Sequence, residues 1–450
     1  MTWPRVILTA PVLPLALWML GGAPQAVQLP EAPPSVREST ASSALVNRSA
    51  DAPTPASADG PVPEYATVVA PIVARHCTAC HRAGGVAPFD LESPEALARR
   101  AATIARSVRE GEMPPWFARA ADTTHVFAND PSLSAADKAT LLRWLESAVR
   151  PLGDLAKAPP PRGPAPEWRI GAPDFVVELP RSVEVPAAGT MPYVNLRVPS
   201  GVAADAWVRA WEVSPTARDV VHHVLVFAVP EGARGPAEEA RGFFAAYVPG
   251  GGMRVYDDTR AKRLPKGSDL LFQLHYTPNG RATSDRTRLA LRFADGPPQR
   301  EVRTAGIFDP RLDIPPNAAA HVEGTQFTVP ADLRVLSWMP HMHMRGSAFR
   351  AFRVAPDGTR IPLLDIPRYD FNWQLSYDYA TPLELKRGTV IGIEGVFDNS
   401  AANPANPDAS QRVRWGQQTT DEMLIGYVEY ELVGAAAGAA PLRRGRRLLR

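Results

Sequence analysis

VVHHVLVFAV, residues 220–229, runs ten residues without a charge, a Gly or a Pro, and half of them are valine. β-branched and aromatic residues suit an extended chain, and so short a run lacks the periodicity of an amphipathic helix. It reads as a strand. The stretches around it have the same texture: DFVVEL (174–179), YVNLRV (193–198), AWVRAWEV (206–213), DLLFQLHYT (269–277) and TRLALRF (287–293). Gly, Pro, Asp and Asn turns separate them, which is the signature of an antiparallel β domain. The pattern resumes in AHVEGTQFTV (320–329), VLSWMPHMHM (335–344), AFRAFRV (348–354), TVIGIEGVF (389–397) and EMLIGYVEYEL (422–432). So many strands exceed one ordinary sandwich. Two all-β, jelly-roll-like sandwiches are expected, over residues 168–300 and 301–435.

Upstream the texture changes twice. Residues 151–167, PLGDLAKAPPPRGPAPE, form a Pro-rich linker, and residues 63–150 carry helical signals instead. Val68, Val69, Ile72 and Val73 recur at helical spacing. Ser93 is an N-cap before Pro94, opening a helix that stops at Gly111, and Ser134 opens another with Asp137 at the capping-box position. A small all-α domain is predicted there. Residues 27–62 are Pro/Ala/Ser-rich and read as a disordered tether. Residues 1–26 have one Arg, an apolar run and small residues around Ala23 and Ala26, the pattern of a secretory signal peptide. Retention as an anchor is the alternative reading. Export places the chain in a periplasmic or secreted setting. Residues 436–450 form a basic tail expected to be disordered, with an anionic-surface contact as its other reading.

The chain has 450 residues, a formal net charge of +2 and no basic stripe, which gives no footing for nucleic acid. It has only two cysteines, unlike the disulfide-rich pattern of many exported proteins. Both lie in CTACH, residues 77–81, a c-type haem attachment motif. Cys77 and Cys80 would form the thioethers and His81 would be the proximal ligand. A redox dithiol or half of a zinc site are the competing readings; the first lacks a thioredoxin-like context and the second lacks ligands beyond His76 and His125. Met113, in GEMPPW, is the candidate sixth ligand, and His125 is its competitor.

Histidines cluster again further on: His222 and His223 in the opening stretch, His275 in FQLHYTP, and His341 with His343 in MPHMHM. Residues two apart on a strand share a face, so His341 and His343 can point at one metal. Adjacent residues point oppositely, so His222 and His223 can do so only across a bulge or at a strand end. Imidazoles without thiolates, in a methionine-bearing chain, favour copper over zinc. No comparable carboxylate cluster suggests calcium or magnesium.

The order HH…H…HxH followed by Met423 in TTDEMLIGYVEY resembles the copper type II, ascorbate-dependent monooxygenases, over roughly residues 168–435. That family includes peptidylglycine α-hydroxylating monooxygenase and dopamine β-monooxygenase. The resemblance implies two copper ions facing each other across an open cleft between two sandwiches. His222, His223 and His275 would hold the electron-transfer copper; His341, His343 and Met423 would hold the oxygen-binding copper and form the catalytic site. The animal members brace their sandwiches with disulfides, for which this chain has no cysteine. The peptide-amidating member's carboxylate contacts would fall at Met339, Ile425 and Tyr427. Only the tyrosine is kept, leaving Tyr427 as a candidate substrate contact and arguing against peptide amidation.

Together these readings give an oxidoreductase: a copper-dependent monooxygenase hydroxylating a C–H bond of a small molecule with O2. Electrons would come from an external donor through the fused haem c. The alternative is a non-catalytic haem and copper electron-transfer or copper-handling protein, and a third reading makes the sandwiches a binding module with incidental histidines. No membrane contact is expected once the signal is removed. Asp421 and Glu422 are read as part of a solvated turn, although they could also orient ligands.

Overall fold

The computed structural model describes residues 60–119, 126–230, 242–435 and 437–438. The expected signal, nearly all of the tether, most of the tail and His125 lie outside these residues.

Helices come first: α1 (Ala70–His76), entered through a π-turn at Tyr65–Val69, then α2 (Pro94–Arg99), α3 (Ala101–Glu110) and α4 (Ala135–Glu146). The Ser93 and Ser134 hydroxyls accept from the N–H groups of Ala96 and Asp137, satisfying donors that a helix start leaves open. Gly111 ends α3 in the left-handed conformation at φ 70°, where a Cβ would be strained. The expected helix from Ser93 to Gly111 is broken at Arg100, which leaves helical geometry at ψ 13°. Tyr65, Val69, Leu97, Ile104, Leu141 and Trp144 form the core of this part.

The strands follow: β1 (Phe175–Glu178), β2 (Val183–Val185), β3 (Val194–Pro199), β4 (Ala206–Ser214), β5 (Val221–Val229), β6 (Ala245–Tyr247), β7 (Met253–Val255), β8 (Arg260–Leu264), β9 (Asp269–Tyr276), β10 (Thr283–Asp285), β11 (Arg288–Phe293), β12 (Arg300–Phe308), β13 (Asp313–Ile314), β14 (His321–Thr328), β15 (Leu333–His341), β16 (Gly346–Val354), β17 (Arg360–Ile366), β18 (Tyr377–Leu385), β19 (Val390–Phe397), β20 (Val413–Arg414) and β21 (Ile425–Leu432). Among the described residues strand makes up 37% against 12% helix, which sets the fold as β-rich and sandwich-like. One long sheet runs β1-β11-β4-β8-β12-β21-β15-β18, with β7 beside β4. Its first half packs on β3-β9-β5-β6 around Val208, Val226, Phe272 and Leu291. Its second half packs on β14-β19-β16-β17 around Trp338, Phe349, Ile393 and Val428.

Residue 300 marks no break in this sheet. β12 pairs parallel with β8 through Arg300 and Glu301 against Arg260 and Ala261, and antiparallel with β21 along its length. β5 explains the uniform texture of the opening stretch. Val224 and Val226 enter the first core, while Leu225, Phe227 and Val229 face out from it into a second apolar cluster. There they meet Met339, Met423, Ile425 and Tyr427 of the second sandwich. A strand covered on both faces has no reason to alternate. Beside this junction the Lys262 ammonium meets Glu429 at 2.7 Å, Tyr256 donates to Glu429 at 2.7 Å, and Arg254 bridges Glu429 and Asp378.

Trp116, Phe117, Phe127 and Asn129 do not stay with the helices. Phe117 is part of the second sandwich's core, and Trp116 and Phe127 lie 4.8 and 5.8 Å from the Tyr377 ring. Phe127 forms a bridge with Tyr379, and Asn129 bonds to Ser376 and Asp378. These residues, expected within the all-α domain, thus pack on the second sandwich.

Candidate metal centre

β5 and β9 pair antiparallel with His223 opposite His275, and their register slips between Val221 and His223. His222 is the extra residue of that irregularity, which lets both adjacent imidazoles turn to one side. Their Nδ1 atoms lie 3.0 Å apart. Two nitrogens on one metal, each at about 2.0 Å, sit roughly 3 Å from one another. His222, His223 and His275 each offer a ring nitrogen within 4.8 Å of the others. The Nδ1 of His275 is buried without a partner, while its Nε2 is 2.7 Å from the Thr419 hydroxyl, which can accept its proton. That bond orients the ring and leaves Nδ1 as the ligand atom.

His341 is the last residue of β15, and His343 follows in the loop beyond; their ring centres are 5.4 Å apart. Gln374 Oε1 accepts from His341 Nδ1 at 3.1 Å, and the Asp421 carbonyl accepts from His343 Nδ1 at 3.3 Å. Both bonds leave Nε2 as the free lone pair, and that of His343 is buried and unpartnered. Met423 is buried near the end of the same face, since β15 and β21 set Met339 opposite Tyr427 and His341 opposite Ile425. Beyond the paired residues, the N–H groups of His343 and Met423 both meet Oε2 of Glu422, at 2.7 and 3.0 Å. Tyr427 backs His341 at 6.3 Å and packs on Phe243 inside the junction.

Among the described residues, no open cleft separates the groups. All five histidines are buried, and His223 lies 5.3 Å from His341, ring centre to ring centre. Burial, reinforced for all but His341 by neighbouring imidazoles, lowers their pKa values: to about 4 for His222 and His341, about 2 for His275, and well below the usual imidazole value for His223 and His343. The rings are neutral at pH 7, with lone pairs available.

Four further residues complete the site, and none stood out in the sequence. Tyr193 lies 4.8 Å from His275 and 6.5 Å from His343, its hydroxyl buried and unpartnered. Phe371 stacks on His222 at 4.1 Å, and Gln374 and Thr419 fix two tautomers. Glu422 departs from the expected solvated turn. It is fully buried and accepts the N–H groups of His343, Arg345 and Met423 at 2.7, 2.8 and 3.0 Å. Burial pushes its carboxyl up to about 7 despite those donors and the Arg345 charge.

In the helical part, His81 Nδ1 bonds to the Phe89 carbonyl at 3.1 Å, leaving Nε2 as the ring's other nitrogen. Cys77 and Cys80 are not joined to each other. Burial pushes the Cys77 thiol up to about 12 and also raises that of Cys80. A redox dithiol needs the opposite shift. Cys80 and Arg82 line a crevice shared with Arg169, Glu212, Arg218 and Tyr247 of the first β unit. Met113 follows α3, partly buried, its N–H on the Ser107 carbonyl.

No protein-family model matches the chain, and no curated protein does. Among solved structures it is similar to the major capsid protein P2 of bacteriophage PM2, at 9% identity and a TM-score of 0.26 over 58% of this chain and 98% of that one. It is also similar to infectious bursal disease virus Gx strain, at 9% identity and 0.17 over 60% and 84%. The tandem CBM22-1–CBM22-2 domain of Xyn10C from Paenibacillus barcinonensis gives 9% and 0.13 over 54% and 83%. Likeness at these scores carries no argument about fold or function.

Proposed function

We propose that this chain is a copper-dependent monooxygenase that hydroxylates a C–H bond of a small molecule, with a c-type haem domain as its electron inlet. The observation carrying this reading is the convergence of five buried imidazoles, four of which leave a buried ring nitrogen without a partner: Nε2 of His222, His223 and His343 and Nδ1 of His275. Orphaned buried polar atoms are costly, and a metal removes the cost. The donor set of imidazoles plus the Met423 thioether suits copper. Bound copper supplies one-electron redox chemistry and oxygen activation, and attached haem supplies an electron relay.

The chain's own residues then have separable tasks. Thr419, Gln374 and the Asp421 carbonyl hold three imidazoles in the tautomer that presents the free lone pair. Phe371 and Tyr193 wall the site against water, and the Tyr193 hydroxyl offers a hydrogen-bond donor inside it. Cys77, Cys80 and His81 would hold the haem, with Met113 as the sixth ligand. The crevice beside Cys80 reaches Tyr247, which pairs with Val224, the residue after His223. That adjacency supports electron entry at the first histidine group.

The test is substrate-dependent oxygen uptake across a panel of small C–H donors, in the parent and in Met423→Ile. The parent is expected to turn over, and the variant to lose turnover while keeping its haem spectrum. Full activity in Met423→Ile would overturn the assignment.

A further inference from the structure

We infer that the second sandwich holds the haem's sixth ligand in place: Arg368, Trp116 and Phe117 are positioning residues that fix the Met113 loop from outside the helical core. The inference rests on the haem reading above and goes beyond it.

Met113 lies on a short span anchored at both ends. At its start the N–H groups of Glu112 and Met113 both donate to the Ser107 carbonyl of α3, at 2.8 and 3.2 Å. Further on, Trp116 packs on Tyr377 of β18 at 4.8 Å, and Phe117 is buried in the second sandwich's core. The Arg119 N–H then donates to the Asp365 carbonyl of β17 at 2.8 Å. A side chain on a span anchored at both ends has less conformational entropy to lose when it binds.

Arg368 closes the arrangement. Its guanidinium donates to the carbonyls of Glu110 and Gly111, at 3.4 and 2.7 Å, and lies 5.3 Å from the centre of the Phe117 ring. Those carbonyls end α3, where a helix leaves acceptors open and favours a cation. Arg368 thereby ties the helix before Met113 to the aromatic ring after it.

Arg368 belongs to the connection between β17 and β18, residues 367–376, and the same connection reaches the histidines. Its Phe371 stacks on His222, and its Gln374 bonds to His341. The Tyr369 hydroxyl bonds to both the N–H and the carbonyl of Met342, at 3.0 Å each, between His341 and His343. One connection therefore supports the loop of the haem's sixth ligand and the walls of the metal centre.

The experiment uses the full, haem-matured chain without added copper. It reads the far-red charge-transfer band of thioether-ligated ferric haem, the haem reduction potential, and the affinity for added imidazole, which competes for the sixth position. Met113→Ala should abolish the band and lower the potential. Arg368→Gln, a change at an exposed residue, should weaken the band, lower the potential and bind imidazole about tenfold more tightly, as the loss of charged hydrogen bonds requires. Trp116→Ala, the second variant, should move all three readings the same way. Haem content and circular dichroism check the fold of each variant. Parent values in both Arg368→Gln and Trp116→Ala, with the band lost in Met113→Ala, would overturn the positioning role and leave the haem reading standing. A parent without the band, or Met113→Ala unchanged from the parent, would remove Met113 as ligand and the inference with it.

Discussion

A single carboxylate carries much of the second histidine group. Glu422 accepts three backbone N–H groups from residues on both sides of the site, so it clamps the loop holding His343 to the segment holding Met423. Glu422→Gln keeps the shape but turns one acceptor into a donor against an N–H. The loss should be about 1–3 kcal/mol of stability, measured by chemical denaturation. Loosening the loop should also weaken copper binding about 10–100-fold, as changes behind a metal ligand do, measured by titration with the haem spectrum as control. The candidate ligands stood out in the sequence because histidine is scarce, at nine in the chain, and five fall in three short clusters. Glu422 was not, since an acidic residue before a strand reads as a turn until the packing above it is known. Tyr193, Phe371 and Thr419 escaped for the same reason; Thr419 meets His275 across 144 positions of sequence.

At the scale of elements, local rules served the helices well. The Ser93 and Ser134 caps and the Gly111 stop lie where the sequence puts them. Period-two texture likewise marked the strands, and the bulge at His222 answers the demand that two adjacent histidines face one metal. What the sequence does not carry is which surface covers a strand's second face. β5 is apolar throughout because the second sandwich lies on it, and the segment after α3 is aromatic because it enters the second sandwich's core. Phe117→Ala should therefore destabilise the β unit, not the helices, by about 3–5 kcal/mol. Protease should then cut near residues 110–130 faster than in the parent, and unchanged cleavage would count against this docking.

For the whole molecule, the junction makes stability depend on acid. Burial alone would raise the Glu429 carboxyl, but Lys262 and Arg254 outweigh it and hold it at about 2. Unfolded, the group titrates at about 4.3. Its contribution is present above the unfolded value and is lost as pH falls through the folded one. Denaturation midpoints should therefore drop between about pH 4 and pH 2, and the slope should flatten in Glu429→Gln. The same region has a consequence for any attempt to divide the chain. The pairing of Arg260 and Ala261 with Arg300 and Glu301 hides one margin of β8, and β12 in turn covers β21. Cut the chain near residue 300 and both fragments would carry a bare strand edge, a template for sticking to further copies. The halves are protected from aggregation only by being each other's neighbour.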